Sequence, residues 1–318
     1  MSMRLHGVVA VLETPFLDDE SIDEVSLRRV VDFAIENRAV ALCTPGFASE
    51  FYKLSDPERY RVAEVAIDQT RGRLPVFIST GSGSVHSTVR FSQYAESIGA
   101  QGLMVLPPSV SPLGPREIFA FFEGVCRSVQ IPIMLQDADF TGSGLPARVF
   151  VELAERCPNF LFAKLETALP GAKCEEIIRL SRGKLQVLYG LGGVYMVDGF
   201  RHGATAIMPG AALTDLYASV IDLYDAGQTK EAESLLHRLL PYLVFALQHL
   251  EMNMIMEKRV LKRRGVISSD RLREPTLHLS EAHQKEADEI IDLVLGLCHE
   301  VTARAKAGLR GTVSAAVT

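Results

Sequence analysis

Short apolar runs and amphipathic stretches alternate along this chain in a fixed order, and that alternation limits the fold more than any other feature. Residues 7–12 read as a buried strand that stops at Thr14-Pro15. Residues 21–37 then carry Ile22, Val25, Leu27, Val30, Val31, Phe33, Ala34 and Ile35 on one broad stripe, the pattern of a helix. A second strand is expected at 40–43. Ser55-Asp56-Pro57-Glu58 opens a helix to about residue 70, with a capping hydroxyl, a proline in the first turn and early acid. The same pair of signals recurs without interruption. Strands are expected at 74–79, 102–106, 131–135, 160–165, 185–189 and 205–208, and helices at 85–98, 115–129, 145–156, 171–181, 194–201 and 214–226. Eight strand–helix units at this spacing predict an α/β fold, a closed (β/α)8 TIM barrel. A doubly wound dinucleotide fold would carry a glycine-rich turn after its first strand. Leu12-Glu13-Thr14-Pro15 stands there instead.

The chain beyond residue 226 lies outside the eight units and is helical in pattern, over 230–264 and from 280 to about 307. The expected division is a barrel over 1–226, a C-terminal helical layer packed on it over 227–309, and a flexible tail at 310–318. The apolar stretches 235–256 and 290–297 are wide enough to bury a subunit contact.

Composition excludes several function classes. A net charge of -6 with no basic stripe gives nucleic acid no purchase. The densest basic run, Lys258-Arg259 with Lys262 to Arg264, sits in a helical pattern and reads as a solvated face or a subunit contact. Five cysteines, an odd number without paired spacing, fit a reducing compartment. No apolar run approaches the ~18 residues of a membrane span, and residues 1–7 lack a signal-peptide core. A cytoplasmic enzyme is expected, without membrane partners.

In a barrel of this kind, chemistry sits at the carboxyl ends of the strands. That rule selects Glu13 and Thr14, Phe47 to Glu50, Ser79 and Thr80, Pro107 to Ser109, Gln136 and Asp137, Lys164 and Glu166, Gly190 to Gly193, and Met208 to Gly210. Lys164 is the only lysine among them, and it interrupts the apolar run Phe160-Leu-Phe-Ala-Lys-Leu165. An ammonium there must find a partner, reach water or lose its proton. A neutral amine can attack a carbonyl and form a Schiff base. The plain alternative is a strand-end lysine paired to Glu166. No histidine falls among these positions and their acids are scattered, so no metal site is expected. The glycines at 190–193 read as tight turns, with a phosphate site as the alternative.

These residues resemble a known family. Gly7-Val-Val-Ala-Val-Leu-Glu-Thr-Pro-Phe16, Glu50-Phe-Tyr-Lys-Leu-Ser55, Leu106-Pro-Pro108, Ala163-Lys-Leu-Glu166 and the segment Arg273 to Pro275 are similar to dihydrodipicolinate synthases and N-acetylneuraminate lyases. The resemblance runs over about residues 5–300. It implies a class I Schiff-base lyase in a (β/α)8 barrel, with Lys164 as the imine-forming lysine, no cofactor beyond that imine, and a homo-oligomer, dimer or tetramer. It also implies departures. The stretch whose hydroxyls and amides usually hold the pyruvate carboxylate reads Gly46-Phe47-Ala48-Ser49-Glu50 here, which leaves the backbone N–H groups of Ala48 and Ser49. Gln136, followed by Asp137, occupies the place of a proton-relaying tyrosine, and no arginine occurs between Gln136 and Arg148. Glutamine cannot exchange a proton near neutral pH.

The expected function is therefore a lyase acting on pyruvate or another 2-keto acid, by aldol cleavage, condensation or dehydration of a 2-keto-3-deoxy acid. The expected catalytic set is Lys164, Gln136 and Glu166. The expected substrate contacts are Ala48, Ser49, Asp137, Gly190 and Met208. Phe47, Phe140 and Met208 near the mouth imply a pocket less polar than a polyhydroxy acid prefers. Two alternatives stay open: a barrel that has lost catalysis and only binds a small molecule, and a genuine dihydrodipicolinate synthase with an altered proton relay.

Overall fold

The computed structural model describes residues 3–108, 113–140 and 142–315, with side chains described up to residue 303. Strands and helices alternate as β1 (Gly7–Val11), α1 (Glu24–Glu36), β2 (Ala39–Thr44), α2 (Asp56–Thr70), β3 (Val76–Ser79), α3 (Val85–Ser97), β4 (Gly102–Val105) and α4 (Pro115–Ser128). They continue as β5 (Ile133–Asp139), α5 (Ala147–Arg156), β6 (Phe160–Thr167), α6 (Pro170–Leu180), β7 (Gln186–Tyr189), α7 (Met196–Arg201), β8 (Ala206–Ile207) and α8 (Thr214–Asp225). The strands pair in sequence order into a closed barrel, and β8 returns to β1 through Gly7 opposite Ala206 and Val8 opposite Ile207. All eight pairings are parallel. The TIM barrel expected from the alternation is the fold.

A strand sends successive side chains to opposite faces, so each strand splits its residues between two cores. Val9, Val11, Cys43, Phe77, Met104 and Phe162 fill the barrel interior. Phe77 meets Phe162 edge-on there, with centroids 5.6 Å apart. Val8, Leu42, Ile78, Leu103, Leu135 and Ala163 face outward into the core shared with the helices. This two-sided burial is why the strands read as continuous apolar runs rather than as alternating ones.

Three further helices make the C-terminal layer: α9 (Thr229–Ala246), α10 (Leu250–Arg263) and α11 (Glu281–Ala315). The helical pattern over 230–264 is one stretch in the sequence but two helices in the structure. His249 breaks it, with an extended backbone, and its ring accepts the Glu251 N–H at 3.1 Å to cap α10. The expected tail, 310–318, falls on residues whose side chains lie outside the description, and 316–318 lie outside it altogether. Among the described residues no helix is long and apolar enough to cross a membrane.

A buried ion pair ties this layer to the barrel. Lys258 on α10 is fully buried and donates to Glu50 Oε1 at 2.5 Å and to the Arg271 carbonyl at 2.9 Å. Its ammonium lies 4.3 Å from the centre of the Phe16 ring. The other oxygen of Glu50 faces Lys53 at 3.2 Å and the Arg273 N–H at 3.2 Å. Glu50 itself adopts a left-handed backbone, φ 54°, where the chain turns back toward α2. Removing one partner of such a pair leaves the other charge buried and alone. Lys258→Ala should therefore lose about 3–5 kcal/mol of stability, read as a lowered thermal midpoint in a calorimetric scan. A Glu50→Gln change in the same background should recover part of that loss.

Candidate active site

The inward face of β6 carries Phe162, Lys164 and Glu166 in succession, because these positions are two apart. Phe162 belongs to the interior layer, and the next two residues up are the lysine and the acid. Lys164 Nζ stands 3.2 Å from Glu166 Oε1. The two side chains are only 4% and 8% exposed, so the pair works at the wet edge of an apolar interior. Glu166 is held from two further directions. Gln136 Nε2 on β5 donates to Oε2 at 2.6 Å, and the Leu191 N–H donates to Oε1 at 3.3 Å. Gln136 lies opposite Lys164 in the β5–β6 register. Leu191 reaches its position with a left-handed backbone, φ 49°, a conformation costly for a leucine and concentrated in functional loops.

Gly190 fits against this carboxylate closely. A Cβ there would lie 2.1 Å from Glu166 Oε1. The glycine is required by the acid beside it, not only by a turn. Gly192 and Gly193 do serve the turn, with φ of 59° and 75°.

Lys164 and Glu166 open onto a cavity of about 420 Å3. Ala48 and Phe47 line it from the segment after β2, Met208 and Gly210 from the end of β8, and Leu191 from the turn after β7. One wall comes from the C-terminal layer, through Leu247, Gln248, His249, Leu250, Asn253 and Met254. The strand-end rule carries no signal for this roof. It assigns chemistry to strand ends alone and leaves no histidine near the site, whereas the break between α9 and α10 brings His249 to the mouth. A capping histidine ahead of Leu250-Glu251 is the trace in the sequence that marks it.

Two expected substrate contacts are turned away from the cavity. Ser49 Oγ donates to the Leu12 carbonyl at 2.5 Å and accepts the Gly46 N–H at 2.9 Å, and the Ser49 N–H donates to the Gly46 carbonyl. Asp137 follows Gln136 and so points to the outer face of β5. It pairs with Lys173 and accepts the Leu145 N–H at 3.0 Å, which pins the loop after the strand. Burial pushes its carboxyl above the ordinary aspartate range, with Lys173 opposing.

Behind the cavity wall lies a pair that the sequence does not link. Glu13, just past β1, and Glu257 on α10 meet under Gly210, where a Cβ would lie 2.4 Å from Glu257 Oε2 and 2.8 Å from Glu13 Oε1. Glu13 accepts the Ala211 N–H at 2.9 Å and Glu257 the Ala212 N–H at 3.1 Å. Tyr242 OH donates to Glu257 at 3.3 Å. Burial raises both carboxyls. At Glu13 the charge of Glu257 adds to the burial, and the pair holds a proton between its two carboxyls. Among the described residues no group of three or more His, Cys, Asp or Glu side chains is disposed to hold a metal ion.

The model of the dihydrodipicolinate synthetase family matches residues 4–293. The chain belongs to that family. Its members are lyases and dehydratases that work through a lysine Schiff base, and this chain is a lyase of that kind. The L-2-keto-3-deoxyarabonate dehydratase of Azospirillum brasilense is 27% identical over 292 residues, covering 91% of this chain and 93% of that protein. The 4-hydroxy-tetrahydrodipicolinate synthase of Syntrophus aciditrophicus is 29% identical over 296 residues, covering 90% and 97%. The crystal structure of dihydrodipicolinate synthase from Rhodopseudomonas palustris superposes with a TM-score of 0.84 at 25% identity, covering 91% of this chain and 97% of that one.

The packing around Glu166 and Glu13 makes two outcomes measurable. Gly190→Ala should displace the Glu166 carboxylate and lower turnover by about 100-fold, with the far-ultraviolet circular dichroism of the barrel retained. Glu13 has a raised carboxyl, so the unfolded chain releases that proton above ~4.3 while the folded chain keeps it. Folding is thereby penalised increasingly as pH rises. Glu13→Gln removes the penalty, so its thermal midpoint relative to the parent should climb between pH 5 and pH 8.

Proposed function

We propose that Lys164 condenses with the keto group of pyruvate or a larger 2-keto acid and that the enzyme cleaves or dehydrates a 2-keto-3-deoxy acid. The observation that carries this reading is the position of Lys164 Nζ, buried inside the barrel and facing an open cavity, with one acid at 3.2 Å. An amine on the outer surface, or one wedged against an acid with no space in front, would not support it.

The amine attacks C2 of the keto acid, a C–N bond forms, and the keto oxygen leaves as water. Glu166 is suited to pass the proton that this departure requires, being an acid within reach of Nζ. The resulting iminium draws electrons from C3. For dehydration a C3 proton passes to Glu166, the C3–C4 double bond forms as the C4–O bond breaks, and the departing hydroxide takes that proton to leave as water; for aldol cleavage the C3–C4 bond breaks and the C4 hydroxyl proton passes to Glu166. Gln136 cannot take a proton. Its amide instead fixes the orientation of Glu166, a positioning role. Glu166 thus supplies from β6 the acid–base function that a tyrosine on β5 would otherwise supply.

Ala48 and Met208 shape the pocket floor and Gly190 makes room for the carboxylate, while Ser49 and Asp137 brace the loops that carry them. The cofactor is the imine itself. The enzyme is cytoplasmic and acts as a dimer or tetramer. The dehydratase relative from Azospirillum brasilense favours dehydration among the reactions open to the iminium. A lysine-pathway synthase would be expected to grip a second substrate with an arginine, and among the described residues lining this cavity Lys164 is the only basic side chain besides His249.

Borohydride added with pyruvate should leave a covalent adduct on Lys164, seen by peptide mass spectrometry. Lys164→Ala should abolish it, and an adduct that persists would sink the assignment. Glu166→Gln should still trap the keto acid but lose roughly 100-fold to 10,000-fold in turnover. A protein that only binds keto acids would gain thermal stability from them without any adduct.

A further inference from the structure

We infer that the keto acid taken by this cavity is a monocarboxylate with an aryl or alkyl tail, rather than a dicarboxylic or polyhydroxy acid; the inference rests on the imine reading above. Charge decides the first half. When the imine forms, the lysine nitrogen becomes a cation next to the ligand's C1 carboxylate, and those two charges offset each other. Among the described residues no arginine or second lysine lines the cavity, and Glu166, the other charged group on its wall, is an acid. A second carboxylate or a phosphate would lose water there with no cation to meet it and a like charge beside it. His249 is the nearest substitute. Its Nδ1 accepts the Glu251 N–H, which leaves one ring N–H at Nε2, and the side chain stands exposed at the rim rather than inside.

The wall decides the second half. Around Lys164 and Glu166 stand Leu191, Met208, Leu250 and Met254, and Phe47 meets Phe140 edge-on at 5.7 Å between centroids. Phe140 is 44% exposed, a large aromatic surface left open at the mouth. The uncharged polar side chains are Gln248 and Tyr195 at the exposed rim, and Asn253 further in. A chain of hydroxyls would exchange water for carbon along most of this surface. An aryl or alkyl tail would instead remove apolar surface on both partners from water. The volume of about 420 Å3 lies in the range of pockets built for molecules much larger than pyruvate, so a tail must fill most of it.

The test measures half-saturation of borohydride trapping at Lys164 with four probes: pyruvate, 2-oxo-4-phenylbutanoate, 2-oxoglutarate and 2-keto-3-deoxyarabonate. The phenyl compound is expected to half-saturate at a concentration at least 10-fold below that of pyruvate. 2-Oxoglutarate and the polyhydroxy acid are expected to be no better than pyruvate. Phe140→Arg adds a cation at an exposed position and should shift the ratio at least 10-fold toward 2-oxoglutarate. Equal or tighter trapping of either polar probe than of the phenyl compound would overturn the inference. A Phe140→Arg variant with an unchanged ratio would overturn the place given to the tail. Trapping with none of the four would overturn the imine reading itself, a separate failure that pyruvate alone reports.

Discussion

A strand that closes a barrel cannot choose where its side chains go, and the site depends on that constraint. Hydrogen bonds to β5 and β7 fix the orientation of β6, so positions two apart must share the interior. Phe162 packs below, Lys164 and Glu166 follow above it, and the acid meets the amine without either having to search for the other. The register with β5 puts Gln136 opposite Lys164 and thereby beside Glu166. A slip of β6 by one residue would turn the lysine and the acid into the helical core together and leave Gln136 without its partner.

Burial so near to charge is tolerated because each ionic group has named company. Glu166 accepts from Gln136 and Leu191, and Lys258 has Glu50, the Arg271 carbonyl and the Phe16 ring. Glu13 and Glu257 share a proton and take two backbone N–H groups from the segment after β8. The C-terminal layer supplies Lys258 and Glu257, so it completes the electrostatics of the barrel mouth as well as covering it.

The barrel was legible because eight apolar runs alternate with helical stripes, and buried parallel strands are continuous in hydrophobicity. Lys164 stood out because a lone lysine in such a run is costly. Glu166 was legible from its spacing to Lys164, since the strand period places both on one face. Asp137 lies one residue past the inward Gln136, so the strand period places it on the outer face of β5, with Lys173 and the Leu145 N–H. The partners of Ser49 carry no local signal, because its hydroxyl and amide meet Leu12 and Gly46 across distant parts of the chain. The roof left one faint trace, the capping His249. It depends on where α9 stops, and no proline or glycine at 247–249 marks that end. The pairing of Glu13 with Glu257 spans most of the chain, and no local signal announces it.

The break at His249 has a consequence for how this protein can change. Lys164 and Glu166 belong to a strand locked in a closed hydrogen-bonded ring, where almost any backbone shift is penalised. Leu247, Gln248 and His249 on the cavity wall belong instead to the short break between α9 and α10. Insertions, deletions or exchanges at that break would re-tailor which molecules enter while the reaction centre stays intact. A single architecture can thus diversify its diet at one hinge of chain, leaving its chemistry untouched.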